Sequence, residues 1–240
     1  DIDEIRDENS PDEFENLYMC EFVKDGESAF NLSQLLGCGA DGYDDWPDWK
    51  PFASRPMGQR EVWLGYDANG GSGNGDAGAL SVTVPPLVAG GRFRTVELKQ
   101  LRGLEFEQQA AVIKEAAERY NVTHIAIDGQ GVGEAVWQIV KNWFPAAICY
   151  QMSLSSKRAL VLKMLQVIRA GRWEYDRSEQ GLVRAFNAVR KVVTPGGFIT
   201  YETDRSRGVS HGDMAWATML SIINEPLGQE SGGGGFAMGW

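Results

Sequence analysis

Three aspartates stand where a carboxylate is costly to keep. Asp67 ends the apolar stretch Val62-Trp63-Leu64-Gly65-Tyr66-Asp67, and Asp128 ends a second one, Thr123-His124-Ile125-Ala126-Ile127-Asp128. Asp213 lies in Ser210-His211-Gly212-Asp213-Met214-Ala215-Trp216-Ala217, which reads as the start of a helix. A carboxylate at the end of a buried strand is unfavourable unless it binds a cation or is otherwise paired. Hard oxygen ligands with open positions suit Mg²⁺ or Mn²⁺ better than Zn²⁺. If the three side chains meet, they can hold two divalent ions, which activate water and stabilise the leaving oxygen in phosphodiester hydrolysis. Each aspartate also has an ordinary account. Asp67 can cap the glycine turn that follows it, Asp128 can do the same before Gly129-Gln130-Gly131, and Asp213 can favour a helix N-terminus. Two strand ends and a helix start carrying carboxylates together favour the metal reading.

Other candidates are weaker. Asp76 follows the glycine-rich turn, where a structural role is the commoner one. His211, two residues before Asp213, fits a group that positions water, or a plain helix-start histidine. The glycines at 70–75 do not form a phosphate-binding loop of the GxxxxGK[ST] kind, and no lysine follows them. For phosphate contacts the sequence offers Lys157 with Arg158, Arg190 with Lys191, and Arg205 with Arg207; their ordinary account is a solvated surface. Such contacts would be insensitive to base sequence.

The elements that must position these residues follow from pattern. Strands are expected at 62–67, 77–84 and 92–101, the last two joined around Pro85-Pro86 and Gly90-Gly91. A helix over 106–120 presents Phe106, Ala110, Ile113 and Ala117 on one face. Then come a strand at 123–128, a helix at 132–144, a strand at 147–152, and helices at 157–170 and 179–190. A hairpin turns around Pro195-Gly196-Gly197, and a helix from 211 to about 224 closes the fold. Before all of these, a helix at 11–19 and a short strand at 19–23 precede a stretch, 24–60, rich in Asp, Gly, Pro and Trp. Tryptophans 46, 49, 63, 137, 143 and 216 read as core. Antiparallel strands followed by helix-linked ones imply an α/β fold with a mixed sheet covered by helices.

Composition sets outer bounds. With 240 residues, 43% of them hydrophobic, the chain can build one large domain with at most a small appendage. Neither a membrane-spanning run nor a signal-peptide pattern is visible. The acidic opening, Asp1 to Glu15, lacks an initiator Met and reads as the start of a fragment or processed piece. Cys20, Cys38 and Cys149 are too scattered for structural zinc and fit reduced thiols in a cytoplasm. The formal net charge of −10 counts against a nucleic-acid binder, which is usually basic. Many of the acids, however, fall in the first 50 residues, and a metal site itself adds carboxylates.

The motifs resemble the nuclease half of the large terminase subunits of tailed bacteriophages, the motors that package and cut concatemeric DNA. Phe14-Glu-Asn-Leu-Tyr-Met-Cys-Glu-Phe22 resembles the segment joining motor ATPase to nuclease. Trp63-Leu-Gly-Tyr-Asp67-Ala with Gly75-Asp76-Ala-Gly-Ala resembles the first catalytic strand and turn. The family usually has Pro where Ala68 stands, and a shorter turn. Ile125-Ala-Ile-Asp128 with Gly131-Val-Gly133 resembles the second catalytic stretch. The third is Ser210-His-Gly-Asp213-Met-Ala-Trp-Ala-Thr, the most specific of the four. The resemblance covers about residues 10–225. It implies an RNase H-like mixed sheet flanked by helices, two Mg²⁺ or Mn²⁺ ions on Asp67, Asp128 and Asp213, and cleavage of double-stranded DNA with low sequence specificity in the host cytoplasm. Implied partners are the small terminase subunit, the portal and the ATPase domain. Residues 1–60 would then be a linker region from that ATPase domain, 61–225 the nuclease domain and 226–240 a flexible C-terminal tail. The Thr194–Tyr201 hairpin resembles an insertion that regulates DNA access.

Two rivals remain open at this point. An actin-like ATP phosphotransferase uses related phosphate-holding turns, but it needs a duplicated second domain. A non-catalytic docking module of the packaging motor would bind its partner without degrading DNA.

Overall fold

The computed structural model describes residues 27–68, 77–203 and 212–225. The expected helix at 11–19, the strand at 19–23 and the glycine-rich turn lie outside them, as do Asp76, Arg205, Arg207 and His211. Seven strands form one mixed sheet in the order β1-β7-β4-β3-β2-β5-β6. They are β1 (Gly39–Ala40), β2 (Glu61–Asp67), β3 (Gly78–Val84), β4 (Phe93–Leu101), β5 (Asn121–Asp128), β6 (Ile148–Tyr150) and β7 (Trp173–Asp176). β2, β3 and β4 are antiparallel neighbours; β5 and β6 extend the sheet in parallel on one side, β7 and β1 on the other. β8 (Val189–Val193) and β9 (Ile199–Thr203) form a separate antiparallel hairpin.

The expected mixed sheet flanked by helices is therefore what forms. The helices are α1 (Leu32–Gly37), α2 (Gly42–Asp45), α3 (Phe106–Arg119), α4 (Val132–Lys141), α5 (Leu154–Arg169), α6 (Gln180–Asn187) and α7 (Asp213–Ser221). Among the described residues, no helix is long and apolar enough to cross a membrane.

The period-two alternation of strand side chains divides the core. From β2, Val62, Leu64 and Tyr66 point into a cluster with Ala110 and Ile113 of α3 and Val136 and Val140 of α4. Trp63 points the other way, into a cluster with Leu160, Val161 and Met164 of α5, Phe186 of α6 and Ala217 and Leu220 of α7. On β5, Ile125 and Ile127 join the first cluster and Ala126 the second. The alternation thus assigns Asp67 and Asp128 to the same face, the one that α7 covers.

Several expectations shift. On α3 the buried residues are Gln109, Ala110, Ile113 and Ala116, while Phe106 is exposed; the face is rotated because Gln109 accepts the Tyr66 hydroxyl at 2.7 Å. The helix expected at 179–190 stops at Asn187, and Arg190 and Lys191 lie in β8. Lys191 is 1% exposed, so neither a solvated nor a phosphate-facing surface account fits it. The stretch 24–60 contributes α1, β1 and α2, and Trp46 is buried, its indole N–H donating to Glu174 at 3.1 Å.

Candidate metal centre

The sheet register brings two of the aspartates side by side. β2 and β5 run parallel with Tyr66 opposite Ile127, so the next residues, Asp67 and Asp128, end adjacent strands on one face. Their carboxyls share a hydrogen bond, Asp67 donating to Asp128. The Gln130 amide donates to Asp128 Oδ1 at 2.9 Å, which fixes the second carboxylate in an Asx-type turn. α4 starts directly beneath this turn. A Cβ on Gly133 would stand 1.7 Å from the Asp128 carbonyl oxygen, so only glycine lets the helix approach so closely.

The third aspartate arrives with α7. Gly65 lies two residues before Asp67, and a Cβ there would stand 2.0 Å from the Ala217 carbonyl oxygen and 2.3 Å from the Ser221 amide nitrogen. Two strand residues advance about 6.6 Å, and the four residues from Ala217 back to Asp213 advance about 6 Å. The first residue of α7 is therefore carried to the level of Asp67. A buried hydroxyl cluster pins the helix to the sheet: Thr83 with Ser221 at 2.7 Å, Thr218 with Ser81 at 3.3 Å, and Thr83 with Thr95 at 3.3 Å. At the helix start, the Trp216 indole N–H donates to Thr203 Oγ1 at 2.9 Å, which ties α7 to the end of β9.

Electrostatics reports the crowding. Burial holds the Asp67 carboxyl well above the usual carboxylate range; the charges of Asp213 and Asp128 and the bond to Asp128 push it further, and Lys157 opposes them. Asp128 is also raised by burial, against the Gln130 amide, the bond from Asp67 and Lys157. Both carboxyls are thus held above the usual carboxylate range, as carboxyls buried at contact distance are. Among the described residues, no group of three or more His, Cys, Asp or Glu side chains stands at metal-holding spacing. What the fold assembles is a directly bonded pair, with the Asp213 charge acting on it through space. The donor set fits a hard divalent cation, which would relieve the repulsion between the carboxyls.

Of the basic candidates, Lys157 sits in the first turn of α5, where its charge reaches both carboxyls. Arg158 follows it and lies over the Phe198 ring at 5.8 Å, which joins α5 to the turn of the hairpin. Residues beyond the sequence candidates also shape the site. Of Gly65, Gly133, Ser81, Thr83 and Ser221, only Gly65 and Gly133 lay within the motifs read from the sequence, and neither was singled out there for its spacing role.

Comparison with known proteins agrees with this architecture. Residues 64–225 match the model of the Terminase RNaseH-like domain family. The chain is 45% identical over 228 residues to "Terminase, ATPase subunit" of Escherichia phage P2, covering 95% of this chain and 38% of that protein. It is 34% identical over 228 residues to "Probable terminase, ATPase subunit" of Haemophilus phage HP1 (strain HP1c1), covering 94% of this chain and 37% of that one. The chain therefore spans little more than a third of the length of these relatives. Among solved structures, the large terminase nuclease of thermophilic phage G20c with bound magnesium is similar in fold, with a TM-score of 0.57 at 19% identity over 73% of this chain and 84% of that one. The sheet order, the covering helix α7 and the family match together identify this chain as a member of the terminase RNaseH-like domain family.

Proposed function

We propose that this domain is a metal-dependent endonuclease that hydrolyses phosphodiesters of double-stranded DNA with low sequence specificity during phage genome packaging. The observation that carries the reading is the contact of the buried Asp67 and Asp128 carboxyls at the ends of adjacent parallel strands, under the charge of Asp213. Two buried carboxyls in contact are costly to keep, and the turn that Asp128 caps through the Gln130 amide does not account for Asp67. Family membership supports the reading, and the G20c nuclease with bound magnesium, similar in fold, makes the cation class reasonable. Asp67, Asp128 and Asp213 would hold two Mg²⁺ or Mn²⁺ ions. When bound, the ions supply an activated water and charge stabilisation for the leaving oxygen. The chain's own part is positional. The Gln130 amide orients Asp128, the closeness of Gly65 to α7 sets the height of Asp213, and Lys157 offers a cation for a backbone phosphate beside the carboxyls. The acidic residues it faces keep Lys157 from acting as a general phosphate trap, so affinity for DNA would depend on cation loading.

The relatives are named ATPase subunits and are much longer, so we place the ATPase portion of the longer chain among the partners. The small terminase subunit and the portal, working in the host cytoplasm, complete that setting. The test is nicking of supercoiled plasmid in Mg²⁺ or Mn²⁺ by the wild type and by Asp67→Asn, with Mn²⁺ binding followed calorimetrically. Loss of both nicking and cation binding in the folded variant is expected. Cleavage that survives the substitution would remove Asp67 from the mechanism. Partner binding by a wild type without cation-dependent cleavage would favour a docking module instead.

A further inference from the structure

We propose that Thr203, at the end of β9, is a positioning residue for Asp213: it fixes the roll of the first turn of α7 and so aims that carboxylate at Asp67 and Asp128. Its effect on the helix follows from geometry alone, and its effect on cutting rests on the nuclease reading. The hydrogen bonds and the glycine contact that press α7 onto the sheet gather in its second half. Gly65 meets Ala217 and Ser221, Ser221 bonds Thr83, and Thr218 bonds Ser81. Asp213 precedes all of them by a full turn or more. These contacts set how close the helix stands and leave the roll of its first turn to be set elsewhere. Roll matters, because turning a helix by about 10° moves a side-chain tip, roughly 5–6 Å from the axis, by about 1 Å.

Thr203 supplies the second hold. Its Oγ1 accepts the Trp216 indole N–H at 2.9 Å. A Cβ on Gly212 would stand 2.2 Å from that oxygen and 2.5 Å from the Thr203 Cγ2. Thr203 therefore sits against residues 212 and 216, which are four apart and share one face of the helix start. Asp213 stands immediately beside that face. Met214, about 200° round the helix from Gly212, meets Gly181 of α6 through the end of its thioether, an adaptable contact that does not fix an angle. The strand that carries Thr203 is itself anchored, although its hairpin stands apart from the seven-stranded sheet. Val189 of β8 pairs with Thr203, and its carbonyl accepts the Ala29 amide at 2.9 Å. Thr200 Oγ1 donates to the carbonyl of Leu154, the first residue of α5, at 3.1 Å. Thr200 and Thr203 are about 10 Å apart along β9 and face opposite sides of it. β9 thus braces the start of α5, which carries Lys157, against the start of α7, which carries Asp213.

Thr203→Val keeps the shape and removes the acceptor of a buried indole, whereas Thr203→Ser keeps the acceptor. Hydrogen–deuterium exchange of the cation-free chain reads the hold on the helix. Amides 213–217 should exchange about two- to tenfold faster in Thr203→Val, the worth of one hydrogen bond, and near the wild-type rate in Thr203→Ser. Mn²⁺ affinity by calorimetry and the rate of plasmid nicking should both fall about 10–100-fold in Thr203→Val, measured where urea titration shows it folded, and Ser should restore both. Trp216→Phe removes the donor instead, and its combination with Thr203→Val should lose no more than the worse single variant. Unchanged exchange at 213–217 in Thr203→Val would overturn the assignment whatever the wild type does with DNA. Faster exchange with unaltered Mn²⁺ affinity and nicking would overturn it too, leaving Thr203 a contact that aims nothing. A wild type that neither binds Mn²⁺ nor nicks would remove the nuclease reading instead, and the exchange rates would still decide whether Thr203 sets the helix start.

Discussion

The substitution Gly65→Ala reports how tightly the third aspartate is set. A methyl group there would stand 2.0 Å from the Ala217 carbonyl oxygen, 2.3 Å from the Ser221 nitrogen and 2.9 Å from its Cα, where ordinary contact begins at 3.4 Å. All three atoms are helix backbone, so no side chain can swing aside. Relief from 2.0 to 3.4 Å requires α7 to lift by about 1.4 Å along that line. The same lift would stretch the Thr83–Ser221 contact of 2.7 Å and the Thr218–Ser81 contact of 3.3 Å beyond hydrogen-bonding range. Overpacking costs about 1–3 kcal/mol, and each of the two hydrogen bonds lost adds about 0.5–1.5 kcal/mol, since Thr218, Ser221, Ser81 and Thr83 keep other partners. A destabilisation of roughly 2–6 kcal/mol is expected in urea titrations. Asp213 rides on the first residue of α7, and a displacement of about 1 Å at a reacting centre costs on the order of 10²-fold. Nicking of supercoiled plasmid in Mg²⁺, measured where the variant is still folded by near-ultraviolet dichroism, should fall by that factor. Gly37→Ala is the control: its Cβ meets nothing within 4 Å, and both stability and cleavage should stay unchanged. If Gly65→Ala matched the wild type within twofold in rate and 0.5 kcal/mol in stability, the argument that α7 places Asp213 through Gly65 would be wrong.

Other perturbations follow from the same geometry. Gly133→Ala puts a Cβ 1.7 Å from the Asp128 carbonyl oxygen; cation affinity measured calorimetrically should drop at least tenfold, with less effect on global stability than Gly65→Ala, since only the turn under Asp128 must move. Without divalent cations, Asp67→Asn should be more stable than wild type at neutral pH. A carboxyl whose native pKa is raised weakens the fold as pH climbs past its unfolded pKa of about 3.9 toward the native one, and denaturant titrations from pH 4 to 8 should show that slope in the wild type and a reduced one in the variant. His124 behaves oppositely. Its pKa is lowered by burial first, with Lys163 also lowering it and Glu61 opposing, so its contribution is intact above about pH 6.5 and is lost as pH falls from there through the lower native pKa. His124→Phe, which keeps a ring beside Trp63 and removes a buried Nε2 that has no partner among the described residues, should abolish that acid-side loss in thermal melts between pH 5 and 7.

How much of this was legible in the sequence depended on whether a signal was local. β2, β3, β4 and β5 showed themselves as apolar runs of strand length, and α7 as an apolar run after Gly212. β7 did not. Trp173-Glu-Tyr-Asp176 is four residues between a glycine and a turn, and it is a strand because Phe93 to Thr95 and Gly39-Ala40 pair with it from either side. No window of its own sequence contains that information. The helix expected at 179–190 overran for a related reason. Val189-Arg190-Lys191-Val192 looks amphipathic at helical spacing, yet burial alternates along it with period two, and Lys191 points inward. Charge at a buried position hid the strand period. At the site, the aspartates stood out because two apolar strands and a helix start each carried one, a combination that no single turn or cap requires. The glycines that set their spacing did not, because a glycine's role lies in what approaches it, and Ala217 is 152 positions from Gly65 along the chain.

The acidity of the chain no longer weighs against work on a polyanion once its location is considered. Residues 1–26 hold ten acids and two bases, while the remaining residues hold 23 acids and 21 bases. The body that carries the aspartates is therefore close to neutral, and part of its small excess is the Asp67, Asp128 and Asp213 set. Loading two divalent ions onto that set adds four positive charges and would turn the body's net charge from slightly negative to slightly positive. Screening limits the reach of such charges to about 10 Å at 0.1 M salt, which still covers a phosphate lying on the carboxyls. The repulsion between Asp67 and Asp128 would then act as a switch on substrate binding: a cation-free set of carboxyls would repel a phosphate, and a cation-loaded set would draw it in. On this argument DNA affinity and cation affinity are a single linked quantity, each raising the other by the same factor. Binding of a DNA duplex should accordingly be far tighter in Ca²⁺, a hard cation for the same oxygens, than in chelator.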